Sequence, residues 1–337
     1  MAKIQAIIIG TGGIARSHIR RMQKEKRTTK IQALVETSED SRVSTRAFFE
    51  EIGIPCPEFY GSLQELLRHE SKPDAALITT PHKFHYENVR ECLLAGLHVL
   101  VEKPMVLNES EAKRLIRLRD KTGKIVVVGF NGSLSPAVQK AKQLIASGRI
   151  GEVSGVSAHV YQDWKRNQAG TWRQIPEISG GGFLFDTGSH MINTVVDIIG
   201  DDVREASAVF DNRGAPVEIN SSVSGRFFNG VTFSLGGFGD ATQCTSQIRI
   251  FGDKGTLETG VWGERLLFRA SHRDAVFETV KYRGATGFTT WAQFIRVLQG
   301  KVENPCPPEI GLRFARLMDM IRESAASRRL VTRRRRR

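Results

Sequence analysis

Apolar positions follow two different rhythms along this chain, and the change between them divides it. In the first rhythm, short unbroken apolar runs alternate with stretches of helical period. Ile4 to Ile9, Ile31 to Val35, Ala75 to Thr79, Val99 to Val101 and Ile125 to Val128 lack polar alternation, as strands buried on both faces of a parallel sheet do. Helical stretches lie between them: Arg16 to about Lys26, Phe84 to Leu94 before Gly96, and one opened by Asn108-Glu109-Ser110-Glu111 that ends near Gly123. This alternation predicts an α/β domain with a parallel, doubly wound sheet. After an amphipathic stretch, Pro136 to Ala146, strand-like runs follow one another with no helix between most of them. They are Val153 to Val160, Glu205 to Phe210, Ser221 to Phe228, Val231 to Leu235, Gln247 to Phe251 and Gly255 to Glu258. An α+β domain with a mainly antiparallel sheet is expected there. Helices from Thr290 and from Pro308 close the chain. The expected division is 1–130 for the first domain, 131–327 for the second and 328–337 for a disordered tail.

Composition narrows the classes. With 337 residues, 40% hydrophobic and 25% charged, the chain suits two globular domains that each bury a core. No window approaches the roughly 18 apolar residues of a membrane span. The apolar run after Lys3 is too short for a secretory leader, so a cytoplasmic location is expected. Cys56, Cys92, Cys244 and Cys306 have no paired spacing, which predicts reduced thiols and no metal site. The net charge of +13 is uneven, because seven arginines fall among the last ten residues. Such a tail attracts anionic surfaces without specificity, and neither a specific nucleic acid nor a membrane is expected as a partner.

The first strand runs into Gly10-Thr11-Gly12-Gly13-Ile14-Ala15, a G-x-G-x-x-A turn that opens a helix. Gly10 permits the tight turn, Gly12 lets the backbone approach a pyrophosphate, and Ala15 allows close helix–strand packing. The helix N-terminus adds free N–H groups for the phosphates. Glu36 ends the second strand about twenty residues on, where an acid binds ribose hydroxyls and repels a 2′-phosphate. NAD is therefore the expected cofactor, with NADP left possible by Ser38 and Arg42. Later strands end in Thr80-Pro81-His82 with His85, in Glu102-Lys103-Pro104, and in Gly129-Phe130-Asn131. Ligands of parallel sheets bind at such ends.

In the second half, Gly180-Gly181-Gly182 precedes Asp186 and His190, which stand one helical turn apart. A neutral imidazole accepts a proton near pH 7, and a carboxylate one turn away can orient it. A run of three glycines costs backbone entropy unless the chain must pass close to something. Trp164 and Trp172, the latter beside Arg173, offer apolar platforms for a sugar ring or a wall for the nicotinamide.

Taken together, Gly10 to Ala15, Glu102-Lys103-Pro104 and Gly182-x-x-x-Asp186-x-Gly188-x-His190 resemble the Gfo/Idh/MocA family, named for glucose–fructose oxidoreductase, inositol dehydrogenase and rhizopine-catabolism proteins. The resemblance covers the chain to about residue 330. It implies a Rossmann domain, an open-faced sheet domain, and homodimers or homotetramers built through that sheet. It implies Lys103, Asp186 and His190 as catalytic residues, with His190 as the base and Asp186 its partner. Gly10, Thr11, Gly12, Gly13, Ile14, Glu36, Thr80, Pro81, His82, His85, Glu102, Lys103 and Asn131 are expected around the cofactor. Trp164, Trp172 and Arg173 join the catalytic trio around the substrate. Ser133 stands roughly where many members have an arginine. The implied activity is NAD(P)-dependent oxidation of a secondary hydroxyl on a sugar, cyclitol or related polyol. The alternatives are an NAD-dependent glycosidase working by transient oxidation and a non-catalytic NAD-sensing regulator.

Overall fold

The computed structural model describes residues 3–272, 275–284 and 289–335. The chain forms two compact units. In the first, six strands make an all-parallel sheet: β1 (Ile4–Ile9), β2 (Thr29–Val35), β3 (Glu58–Tyr60), β4 (Ala75–Ile78), β5 (His98–Val101) and β6 (Val126–Val128). Their order is β3-β2-β1-β4-β5-β6, which places the reversal of winding between β1 and β4. The apolar runs read from the sequence are its buried centre; Ile7, Ile8, Leu77 and Val101 are fully covered. The helices Gly13–Met22, Glu39–Glu51, Leu63–His69, His85–Leu94 and Glu109–Thr122 alternate with these strands.

One part of this unit departs from the expected boundary at residue 130. Residues 289–308 return to it before the chain re-enters the second unit at Glu309. Thr289 caps the helix Thr290–Leu298, whose Trp291, Phe294 and Ile295 are buried. The indole N–H of Trp291 donates to Thr29 Oγ1 at 3.0 Å, and Val128 N–H donates to the Cys306 carbonyl at 2.9 Å. A core stripe does not reveal from its own spacing which core it joins.

The second unit holds a nine-stranded sheet. Its strands are β7 (Val153–Tyr161), β8 (Val203–Asp211), β9 (Asn220–Phe227), β10 (Thr232–Phe238), β11 (Thr245–Gly252), β12 (Gly255–Thr259), β13 (Leu266–Ala270), β14 (Glu278–Thr279) and β15 (Val331–Thr332). The order is β14-β13-β12-β11-β7-β10-β9-β8-β15, antiparallel except where β7 meets β10. Alternation sets the two faces: Val156, Ala158 and Val160 point inward with Ile248 and Ile250, while Ser157 and His159 point outward. The inner face is covered by the helices Gly188–Ile199 and Pro308–Ser327; Ser324 Oγ accepts the amide of Ala208 at 3.0 Å.

The tail expected to be disordered is ordered over part of its length. Val331 pairs with Ala206 and Thr332 with Glu205, and the Arg333 amide donates to the Arg204 carbonyl at 2.7 Å. The open edge of β8 offers unpaired backbone groups, and two residues suffice to take them up. Arg336 and Arg337 lie outside the described residues.

A buried charge helps fix this unit. Asp197, on the helix Gly188–Ile199, meets Lys142 Nζ at 2.6 Å, with its side chain 2% exposed against 34% for the lysine. Burial pushes the Asp197 carboxyl above the ordinary range, and Lys142 counters it. Lys142→Met is expected to cost about 1–3 kcal/mol at pH 7, less than a fully buried pair because the lysine is part-solvated. Without the lysine, folded Asp197 keeps its proton above about pH 4, where the unfolded chain has lost it. The variant's deficit should therefore grow as pH rises from about 4 and shrink as it falls. Urea unfolding at pH 4.5 and pH 7 checks this, and an equal deficit at both would rule it out.

Candidate active site

At the carboxyl end of β1 the chain makes the expected turn. Gly10 has φ +83°, and a Cβ added there would lie 2.8 Å from the Thr80 amide nitrogen, so the loops after β1 and β4 touch through a residue with no side chain. A Cβ added at Gly12 or Gly13 would meet nothing within 4 Å. The helix Gly13–Met22 begins there with Gly12 as its N-cap and no side chain capping it, which leaves its first N–H groups to a ligand. Glycine is thus needed at Gly10 for packing within the chain, whereas at Gly12 and Gly13 it keeps a cradle clear. This pattern fits a pyrophosphate.

Glu36 is held firmly at the end of β2. One carboxylate oxygen accepts the Thr11 amide at 2.8 Å and the Thr11 hydroxyl at 3.1 Å; the other accepts the amides of Thr37 and Ser38 at 2.8 and 2.9 Å. Its negative charge is therefore fixed beside the turn. Arg42 donates twice to the main-chain carbonyl of Glu36, at 2.9 and 2.5 Å, so the nearest cation downstream is tied to the backbone. Ser38 is occupied as the cap of the helix Glu39–Glu51.

The ends of β4 and β5 are braced by histidines. His85 is 1% exposed, with Nδ1 at 2.7 Å from the Pro104 carbonyl and Nε2 at 2.7 Å from the Thr80 carbonyl. Burial pushes its pKa down, and the two carbonyls pull the other way. Both ring nitrogens are taken by main chain, so His85 ties one strand-end loop to the next instead of presenting a nitrogen to a ligand. His82 is also buried, its ring edge-on to that of His85. Glu102 faces inward too: one oxygen lies 2.6 Å from His18 Nε2, and the other accepts the Lys103 amide at 3.2 Å. His18 sits on the helix that begins at the cradle, and Thr290 Oγ1 lies 3.4 Å from its other nitrogen. The Lys103–Pro104 peptide bond is cis. The first unit therefore gathers Gly10, Thr11, Gly12, Gly13, Glu36, Thr80, His85, Glu102 and Lys103 at the carboxyl edge of its sheet, with Ile14 43% exposed beside the cradle.

In the second unit the glycine run has a specific cause. A Cβ on Gly182 would lie 1.9 Å from the Glu218 carbonyl oxygen. The Glu218 carboxylate accepts the Gly182 amide at 2.7 Å, and its carbonyl accepts the Phe183 amide at 2.9 Å. Glu218 thus stands in as the cap of the short helix Phe183–Asp186. Burial pushes its carboxyl upward, and the Gly182 amide opposes this. The next helix, Gly188–Ile199, follows at once, bringing Asp186 and His190 one turn apart in the buried interior.

Asp186 is clamped. Trp164 Nε1 donates to Asp186 Oδ2 at 2.8 Å, and Arg173 Nε donates to the same oxygen at 3.2 Å. Trp164 is 3% exposed, so it serves as a donor under the site and not as an open platform. Arg173 stacks on Trp172, 4.4 Å from its centroid, and these two remain part-exposed. His190 is flanked by Phe130, edge-on at 6.2 Å between centroids, and by Trp262 at 6.1 Å. Asn131 begins the short helix Asn131–Leu134 next to Phe130. Ser133 is buried, and its hydroxyl accepts from Asn193 at 2.7 Å. A Cβ on neighbouring Gly132 would strike Thr194, which leaves no room for a long side chain there. Trp164→Phe removes one donor from a buried carboxylate and is expected to cost about 1–3 kcal/mol. Urea unfolding reads this directly, and a loss under 0.5 kcal/mol would show that the carboxylate does not depend on this donor.

Residues 4–130 match the family model described as "Oxidoreductase family, NAD-binding Rossmann fold", and residues 138–258 match the GFO/IDH/MocA C-terminal domain. The chain belongs to the GFO/IDH/MocA oxidoreductase family. A 1-carboxy-3-chloro-3,4-dihydroxycyclohexa-1,5-diene dehydrogenase of Comamonas testosteroni is 30% identical over 192 residues, 56% of this chain and 46% of that protein. The chain spans about half the length of such curated relatives. Among solved structures, an oxidoreductase domain protein from Kribbella flavida superposes with a TM-score of 0.86 at 22% identity, covering 98% of this chain and 99% of that one. A levoglucosan dehydrogenase in complex with NADH and levoglucosan gives a TM-score of 0.83 at 21% identity, with the same coverage.

Within this GFO/IDH/MocA chain, several contributors carry no local signal. His18, Gln162, Glu218 and Trp262 reach their places through contacts between segments far apart in sequence; Gln162 Oε1, for example, accepts the Thr187 hydroxyl at 3.1 Å. Trp262 lies in a loop after β12, where an aromatic residue looks like any surface anchor. Among the described residues, no cluster of His, Cys, Asp and Glu could hold a metal ion, and no helix is long and apolar enough to cross a membrane.

Proposed function

We propose that this chain is an NAD-dependent dehydrogenase that moves a hydride between nicotinamide and a secondary hydroxyl or ketone of a sugar, cyclitol or related polyol. The observation that carries this reading is the Asp186–His190 turn: a histidine between two aromatic rings, next to a carboxylate held by Trp164 and Arg173. The nicotinamide ring, when bound, supplies the hydride acceptor. Gly12 and Gly13 would receive the pyrophosphate, and Glu36 would favour free ribose hydroxyls over a 2′-phosphate. His190 takes the hydroxyl proton, and Asp186 orients the site. Lys103 steadies the developing alkoxide by charge and hydrogen bonding. Support comes from the named relatives, one a dehydrogenase of a dihydroxylated ring and one solved with NADH and a sugar derivative.

Absorbance in the NADH band is the test, with NAD or NADP and a panel of free sugars, inositols, levoglucosan and aryl glycosides. A rise with NAD and at least one polyol is expected. Aryl release with no net NADH would replace the reading with a glycosidase, and silence despite tight NADH binding would replace it with a sensor. We also place the enzyme in the cytoplasm, where its four cysteines stay reduced, and assign it a homo-oligomer formed through the outer face of the nine-stranded sheet. That face exposes Val209 at 68% and Phe238 at 40% beside small serines. Sedimentation of the unaltered protein and of Val209→Lys tests the assembly.

A further inference from the structure

We propose that the second unit carries an anion site at its C-terminal strand, suited to a small organic phosphate. A cavity of about 510 Å³ opens there, lined by Arg313 and Arg316 of the helix Pro308–Ser327 and by Arg333, Arg334 and Arg335 that follow β15. Three carboxylates face the same space: Glu109, Asp201 and Asp202. Five guanidiniums against three carboxylates leave two positive charges in excess.

The pairing within the cavity is also incomplete in geometry. Arg316 lies between Glu109 at 3.0 Å and Asp202 at 2.7 Å, and Arg333 donates to Glu109. Arg313 reaches only to 3.7 Å of Asp202, and Arg335 only to 3.7 Å of Asp201, both beyond a normal hydrogen bond. Each guanidinium carries five N–H donors in a fork that matches a phosphate bidentately, so these arginines keep donors in hand.

The apolar part of the lining decides the ligand class. Val203, Phe228, Leu317 and Met320 contribute a hydrophobic wall, and the Arg335 guanidinium lies 5.8 Å from the Phe228 ring. A charged rim beside an aromatic and aliphatic wall suits a phosphate or pyrophosphate carried on a ring or carbon body better than a bare inorganic ion. Such a ligand would bridge the tail arginines to Arg313 and Arg316 and so secure β15 on the edge of β8. The residues concerned all belong to the second unit and include none of those assigned above to cofactor or substrate.

The test is calorimetric titration of NADH-saturated protein, so that the Rossmann cradle is filled, with phenyl phosphate and with inorganic pyrophosphate as probes. Both are expected to bind with submillimolar affinity. Arg313→Gln and Arg334→Gln, each melting like the unaltered protein, should weaken both about tenfold or more. Arg226→Gln, which breaks a pair with Glu205 outside the cavity, should change neither. In the unaltered protein, pyrophosphate should also slow trypsin cleavage after Arg333 to Arg335. No binding of either probe, binding undiminished in both cavity variants, or tail cleavage indifferent to pyrophosphate would each overturn the proposal.

Discussion

His190→Ala is expected to lower turnover of the best polyol substrate by about 10²–10⁴-fold while leaving NADH binding intact. The size follows from what the side chain would supply: proton removal in step with hydride transfer. Its ring lies between those of Phe130 and Trp262. Steady-state kinetics and fluorescence titration of NADH separate the two quantities. A variant that kept more than a tenth of the turnover would remove His190 from the role of base. One that lost NADH binding in parallel would mark it as structural.

The second large effect concerns a residue with no side chain. Gly182→Ala places a methyl group 1.9 Å from the Glu218 carbonyl oxygen and 2.8 Å from that residue's amide nitrogen. Backbone cannot swing aside as a flexible side chain does, so the cost should stand at or above the top of the 1–3 kcal/mol range of ordinary overpacking, about 3 kcal/mol or more. The clash also pushes the Phe183–Asp186 turn off its Glu218 cap, so turnover should fall with the melting temperature. Gly13→Ala is the informative contrast. Its Cβ meets nothing within 4 Å and lies at the start of a helix, so melting should hold or rise. The same methyl group enters the cradle, and NADH affinity should drop. If both variants behaved alike, the distinction between glycine for internal packing and glycine for ligand access would be wrong.

That distinction also explains what could be read before folding. The Gly10 to Ala15 turn, Glu36 and the Asp186–His190 spacing are local patterns, and local patterns survive in a string of letters. The alternation of apolar runs likewise announced the parallel sheet, and the change of rhythm near Val153 announced the second one. What stayed hidden depends on pairs far apart in the chain. Glu102 meets His18, Trp164 meets Asp186, and Glu218 meets Gly182, each through a fold that no window of sequence contains. His85 shows the converse. Its position beside a strand end suggested a ligand for the cofactor, yet burial and two carbonyls make it a brace. The arginine tail misled for a simpler reason: charge density predicts solvation, but a vacant strand edge needs only two residues to be filled.

The return of residues 289–308 to the first unit has a consequence for how this protein can be cut or recombined. In chain order the two units interleave: the chain enters the second at Phe130, returns to the first at Thr289, and re-enters the second at Glu309. A fragment ending at Gly129 would lose the carbonyl that receives the Val128 amide, the Asn304 side chain that donates to Val126, and the indole packed against Thr29. Fusions and domain exchanges should therefore splice at three points, near Gly129, Thr289 and Pro308, and carry residues 289–308 along with the Rossmann half.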